Sequence, residues 1–226
     1  MLDLVWLIPL LPLAGAAVNL LLGRRLGKAA GWLATGLVGL GFVLAVAALL
    51  DLLGLPADQR VHVANLFDWI SVGTFSVDVA LRVDPLSITM TLVVTGVGAL
   101  IHLYAIGYMD HDPRFGVFFA YLNLFVFFML MLVLADNYLL LYLGWEGVGL
   151  CSYLLIGFWF ERPSASSAAK NMNPIWLIVE YASARLRSNW PIDASAAYNA
   201  ETRPTTRTTV SAVPESSKST CERTTR

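Results

Sequence analysis

Cysteine is scarce in this chain. Of 226 residues only Cys151, inside an apolar run, and Cys221, in a polar stretch, carry a thiol. Two thiols so placed supply neither a disulfide framework nor a four-ligand zinc site. Charge is scarce too: charged residues make up 14% of the chain, where soluble domains carry about 25%. The 15 Lys+Arg and 16 Asp+Glu leave a formal net charge of -1, so the basic footprint of a nucleic-acid binder is missing. No Walker loop, GxSxG, HExxH or glycine-rich dinucleotide fingerprint occurs, which removes the local signatures of nucleotide binding and of serine or zinc hydrolysis.

What fills the chain is apolar. Hydrophobic residues reach 57% and the mean hydropathy is +0.66, a balance that predicts an all-α polytopic membrane protein. The balance is uneven along the chain. Residues 1–170 hold eight Lys/Arg and eleven Asp/Glu, whereas residues 171–226 hold seven, five and fifteen Ser/Thr. Three regions follow: 1–60 with two spans, 61–170 with an intervening hairpin and three more, and 171–226, whose Ser/Thr-rich composition predicts a disordered tail.

A membrane helix needs about 20 apolar residues. Such stretches run from Leu4 to Leu22, Gly31 to Leu53, Pro85 to Gly107, Phe115 to Leu134 and Tyr138 to Phe160. The first has Asp3 before it and Arg24, Arg25 and Lys28 after it, the wrong polarity for a cleaved signal peptide. Arg24, Arg25, Lys28, Arg114, Arg162 and Lys170 follow the first, third and fifth spans, whereas residues 135–137 carry no positive charge. The positive-inside rule therefore predicts an external N-terminus.

Between the second and third spans, Phe75, Val77, Val79, Leu81 and Val83 alternate with Ser76, Asp78, Ala80, Arg82 and Asp84. That period of two predicts a small external β-hairpin over Val61 to Val83, turning at Val72-Gly73-Thr74. Asp84 before Pro85, and Asp136-Asn137 before Tyr138, read as helix caps. Asp110, His111, Asp112 and Arg114 read as a solvated turn, and Trp6, Trp32, Tyr108, Tyr138 and Trp159 as interfacial anchors.

Glu146 does not suit a lipid-facing helix. In the expected fifth span it lies roughly 5 Å from the centre at 1.5 Å per residue, where an ionised acid costs several kcal/mol unless it faces a protein or water-filled interior. Tyr142, Gly149 and Tyr153 share its helical side, and Gly144, Gly147 and Gly149 thin the helix for a close neighbour. Such an acid can exchange a proton, or it can serve as a packing determinant hydrogen-bonded to another helix. His102, the other ionisable group within a span, reads either as a proton relay or as a neutral histidine bridging two helices.

Several runs together resemble a known family. They are Asp84-Pro-Leu-Ser-Ile-Thr-Met90, Leu100-Ile-His-Leu-Tyr-Ala-Ile-Gly-Tyr-Met109, Phe118-Phe-Ala-Tyr-Leu-Asn-Leu-Phe125, Ala135-Asp-Asn-Tyr138 and Gly144-Trp-Glu-Gly-Val-Gly-Leu-Cys-Ser-Tyr-Leu-Leu-Ile-Gly-Phe-Trp159. Up to about Lys170 the chain resembles the subunit L (chain 5) family, the antiporter-like membrane subunits of proton-pumping NADH:quinone oxidoreductase, respiratory complex I. The resemblance implies a proton half-channel in the cell inner membrane, in contact with other membrane subunits of complex I. It matches Glu146 to the family's essential glutamate, which is coupled to a lysine on a later helix. It also implies that this chain binds no cofactor: no flavin, iron-sulfur cluster or nicotinamide. After Lys170 the family continues into further apolar helices, whereas here Asn171-Met-Asn-Pro leads into Thr202-Arg-Pro-Thr-Thr-Arg-Thr-Thr209, which reads as a truncation or frame shift. Alone, the chain is then not expected to conduct protons. Two other readings stay open, the large subunit of a multi-subunit sodium/proton antiporter and a membrane fragment without transport function.

Overall fold

The computed structural model of the chain describes residues 4–56, 59–72 and 75–171. Asp3, Asp58, the expected Gly73-Thr74 turn and the expected disorder of residues 172–226 lie outside the described residues.

Five helices are long and apolar enough to cross a membrane: α1 (Leu7–Leu26), α2 (Ala29–Leu53), α3 (Pro85–Tyr108), α4 (Phe115–Leu134) and α5 (Tyr138–Ile156). Strands β1 (His62–Val72) and β2 (Phe75–Val83) stand between α2 and α3, and a short α6 (Pro163–Asn171) follows α5. The five spans and the hairpin match expectation, and the chain is a multi-pass membrane protein.

Two helix ends move for a reason hydropathy does not register. α1 runs through Arg24 and Arg25 to Gly27, because backbone hydrogen bonding is indifferent to side-chain charge. It stops where Gly27 turns to φ 54°, a conformation that costs glycine nothing. α5 stops at Ile156, where the Gly157 N–H closes the last turn on the Tyr153 carbonyl at 2.9 Å. α6 was not expected; Pro163 at its first position and the Ala/Ser run behind it favour a helix, and Ala169 is buried.

In a bilayer, helices associate mainly through close van der Waals packing rather than through exclusion of water. Small residues make that possible here. Gly23 of α1 meets Gly116 of α4 backbone to backbone, and a Cβ on Gly116 would fall 2.9 Å from the Gly23 Cα. Gly31 of α2 lies under the Phe115 side-chain ring. The apolar core toward the hairpin holds Ile8, Val38, Ile88, Val126, Leu130 and Leu140, all buried.

β1 and β2 pair antiparallel from His62↔Val83 to Val72↔Phe75, with register shifts between Asn65 and Phe67 and between Asp68 and Ile70. These shifts leave Leu66 and Trp69 without a paired Cα, and both side chains are exposed. β2 docks on the α4–α5 connection. The Asp136 N–H donates to the Ala80 carbonyl at 3.2 Å, and the Asn137 amide donates to the Asp78 carbonyl at 2.7 Å. The hairpin thereby fixes where α5 begins.

Both expected caps form. Asp84, in extended backbone, accepts from the N–H groups of Leu86 at 3.0 Å and Ser87 at 2.8 Å, and the Ser87 hydroxyl accepts from the Asp84 N–H at 2.8 Å. This is a reciprocal capping box. At α5 the cap is Asn137, whose side-chain oxygen accepts from the Leu140 N–H at 2.9 Å.

At the opposite end of the bundle Asp110, His111, Asp112 and Arg114 form the expected turn, but it is only partly solvated. His111 and Pro113 are exposed, whereas Asp110, Asp112 and Arg114 are half-buried. Lys28 pairs with Asp110 at 2.6 Å, Trp159 Nε1 donates to Asp112 at 3.0 Å, and the Arg114 guanidinium lies 4.7 Å from the ring centres of both Phe158 and Phe160. The segment ties the ends of α2 and α5 to the α3–α4 connection. These partners are distant in sequence, which is why the local pattern showed only polar residues.

Candidate functional site in the helix bundle

α5 places Glu146 deep in the span. Gly147 is the middle residue of the 19-residue helix, so the acid lies about 1.5 Å from the centre along the axis, deeper than the longer expected span implied. Both carboxylate oxygens are sealed from the surface, and neither reaches hydrogen-bond geometry with a described residue. Tyr142, one turn earlier, interacts with the carboxylate, as the sequence spacing implied. No described Lys or Arg forms an ion pair with it.

The glycines around it serve a neighbour, on a different side from the acid. Leu140, Gly144, Gly147 and Cys151 form the buried stripe of α5. A Cβ on Gly144 would meet the Leu132 backbone, and one on Gly147 the Phe128 ring. At 100° per residue, Glu146 points about 100° away from Gly147 and about 160° away from Gly144. Gly144 and Gly147 thus let α4 approach α5, while Glu146 projects off the α4-facing stripe. Tyr142 and Trp145 beside it are 55% and 59% exposed.

His102 occupies a separate site between α3 and α4. The buried face of α3 carries Ser87, Thr91, Thr95 and His102. Thr91 donates to the Ser87 carbonyl at 2.8 Å and Thr95 to the Thr91 carbonyl at 2.7 Å, so each hydroxyl is satisfied by the preceding turn. His102 Nδ1 lies 2.8 Å from the Gly98 carbonyl, and Nε2 lies 3.0 Å from Asn123 Oδ1 of α4. Both side chains are essentially fully buried, at 1% and 0% exposure. The helix-bridging histidine is therefore present. Among the described residues, no hydrogen bond joins it to Glu146.

Sequence reading missed Asn123 and Asn19. Each is a buried carboxamide in an otherwise apolar helix, and each has one side-chain atom without a partner among the described residues: Asn123 Nδ2 and Asn19 Oδ1. Asn19 Nδ2 donates to the Ala30 carbonyl across the α1–α2 turn at 3.1 Å. The signal was in the letters, since an amide in the middle of a span seeks an internal partner.

An all-α bundle of membrane-spanning helices with a mid-span acid is the class of protein that fold and site define. Comparison with known proteins sharpens this. Residues 69–119 match the family model for the N-terminus of NADH-ubiquinone oxidoreductase (complex I) chain 5, and residues 135–178 match that for the membrane part of NADH:quinone oxidoreductases and Mrp antiporters. Over 165 residues the chain is 50% identical to NADH-quinone oxidoreductase subunit L of Mycobacterium tuberculosis, covering 73% of this chain and 26% of that protein. Subunit L of Escherichia coli strain K12 is 49% identical over 138 residues, 60% of this chain and 22% of the relative. Among solved structures, the Mrp complex from Dietzia sp. matches with a TM-score of 0.59 at 30% identity, over 73% of this chain and 17% of its counterpart. The resemblance to the subunit L family is thus borne out over the N-terminal part, and the chain spans about a quarter of the length of the curated relatives it matches.

Proposed function

We propose that this chain supplies the N-terminal part of a proton-translocating membrane subunit of NADH:quinone oxidoreductase, with Glu146 as the group that takes up and releases the proton. The observation that carries this reading is the mid-span carboxylate with both oxygens buried and no basic partner among the described residues, within a region matched to that family. An acid serving only to hold two helices together would be expected to hydrogen-bond one of them, and Glu146 is turned away from the α4 contact. His102 is proposed as a further relay group. The partners are other membrane subunits of complex I. The N-terminus and hairpin face outward from the cell inner membrane, since Arg24, Arg25, Lys28, Arg114 and Arg162 gather at the opposite end.

A sodium/proton antiporter subunit is the second reading, favoured by the fold match to the Mrp complex. The identity of about one half to subunit L relatives weighs toward the first.

The test fuses residues 1–170 to the remaining helices of a subunit L relative and assembles the complex in vesicles. Glu146→Gln keeps the shape but cannot exchange a proton, and should reduce NADH-driven proton uptake at least tenfold. Unchanged pumping in an assembled Glu146→Gln complex would sink the assignment. Sodium-driven proton flux without NADH would move it to the antiporter reading.

A further inference from the structure

The His102–Asn123 contact poses a donor problem. The Gly98 carbonyl can only accept, so Nδ1 carries the hydrogen in their 2.8 Å bond. In a neutral imidazole the other nitrogen is then an acceptor, yet at 3.0 Å Nε2 faces Asn123 Oδ1, also an acceptor. A proton on Nε2 removes the conflict, because the imidazolium donates to both oxygens. Turning the Asn123 carboxamide end for end also removes it, because Nδ2 then donates to a neutral Nε2.

Neither solution satisfies everything. In the first, Asn123 Nδ2 is buried without an acceptor. In the second, the oxygen takes that same buried place. Each arrangement therefore leaves one amide atom unpaired, a cost of similar kind in both, so the hydrogen-bond count does not choose between them. Burial among uncharged groups opposes the imidazolium, so the neutral ring with the turned amide is the resting arrangement and the charged ring the one that proton binding creates. Among the described residues, what packs on the pair is uncharged: Gly15 of α1, Phe119 of α4 and Leu155 of α5, with Val38 of α2 against the neighbouring Gly98. Gly15 matters in particular, because a Cβ there would collide with Asn123 Nδ2. The bare glycine accommodates whichever end of the amide points toward it.

We propose that His102 and Asn123 form a proton-binding site separate from Glu146, in which the Asn123 carboxamide turns as His102 Nε2 gains or loses its proton. The bond made and broken is Nε2–H alone. Nδ1–H stays on the Gly98 carbonyl throughout, and Asn123 is a positioning residue that presents oxygen to the charged ring and nitrogen to the neutral one.

The experiment is nitrogen NMR of the full 226-residue chain in lipid bilayers, labelled at histidine and asparagine and titrated from about pH 5 to about pH 9. The His102 Nε2 signal and the Asn123 side-chain amide signal should move together with one midpoint. Asn123→Asp presents only acceptor oxygens and should raise the ring's proton affinity at least tenfold. Repeating the titration with Glu146→Gln should leave the midpoint in place. An imidazole held in one state across the range, an Asn123 amide that stays still while His102 titrates, or an unmoved midpoint in Asn123→Asp overturns the proposal. Should Asn123→Asp fail to insert, the joint movement of the two wild-type signals decides alone.

Discussion

Gly144 of α5 rests directly on the backbone of Leu132 in α4: a Cβ at Gly144 would lie 2.7 Å from the Leu132 nitrogen and 2.8 Å from its Cα. Backbone atoms cannot rotate aside as a side chain can, so any larger residue must push the helices apart.

Gly144→Ala should therefore destabilise the bundle by about 1–3 kcal/mol through overpacking, despite the gain of about 1 kcal/mol in helix propensity. Gly36→Ala in α2 is the control. No described atom lies within 4 Å of a Cβ there, so only the propensity gain applies. Thermal unfolding in bilayer nanodiscs should rank Gly36→Ala at or above wild type and Gly144→Ala below it; the reverse order would contradict the α4–α5 register.

The capping box on α3 yields a local test. Asp84→Ala removes the acceptor for the Leu86 and Ser87 N–H groups and should cost about 1 kcal/mol. Hydrogen exchange at those two amides should speed up by roughly fivefold, while Thr95, two turns further in, keeps its protection. Unchanged exchange at Ser87 would mean that the box does not form.

The Lys28–Asp110 pair predicts a pH and salt response. The Lys28 ammonium, hydrogen-bonded to Asp110, holds that carboxyl below its usual range. Because the folded-state value is depressed, the pair's contribution is present above the unfolded carboxylate value and is lost as pH falls through the lowered one. The Lys28 side chain is 73% exposed, so the contribution is small and screened by salt. Carbon NMR of the Asp110 carboxyl should show its midpoint rising toward the ordinary value in Lys28→Ala and in high salt.

Topology can be read by labelling cysteines in a Cys151→Ala, Cys221→Ser background. Ser76→Cys on the hairpin should react with an impermeant reagent added outside intact cells. Lys28→Cys should react only after the cells are opened. Labelling of Lys28→Cys from outside would invert the proposed orientation.

The sequence alone determined the features governed by neighbouring residues. The five spans follow from runs long enough to satisfy their own backbone in lipid. The hairpin follows from the alternation of Phe75 to Asp84 beside them, and the α3 cap from Asp84-Pro85. Glu146 stood out because an acid in such a run is costly whatever surrounds it. Tertiary structure decided what depends on which helix faces which. It turned Glu146 off the α4 stripe while Gly144 and Gly147 received α4, and it joined Asp112 to Trp159 across 47 positions of sequence. It also set His102 against Asn123 with Gly15 beneath, a site of three residues on three helices. Periodicity reports the side of a helix that is apolar; the partner it meets, and at what register, is settled by side chains fitting against each other across the bundle.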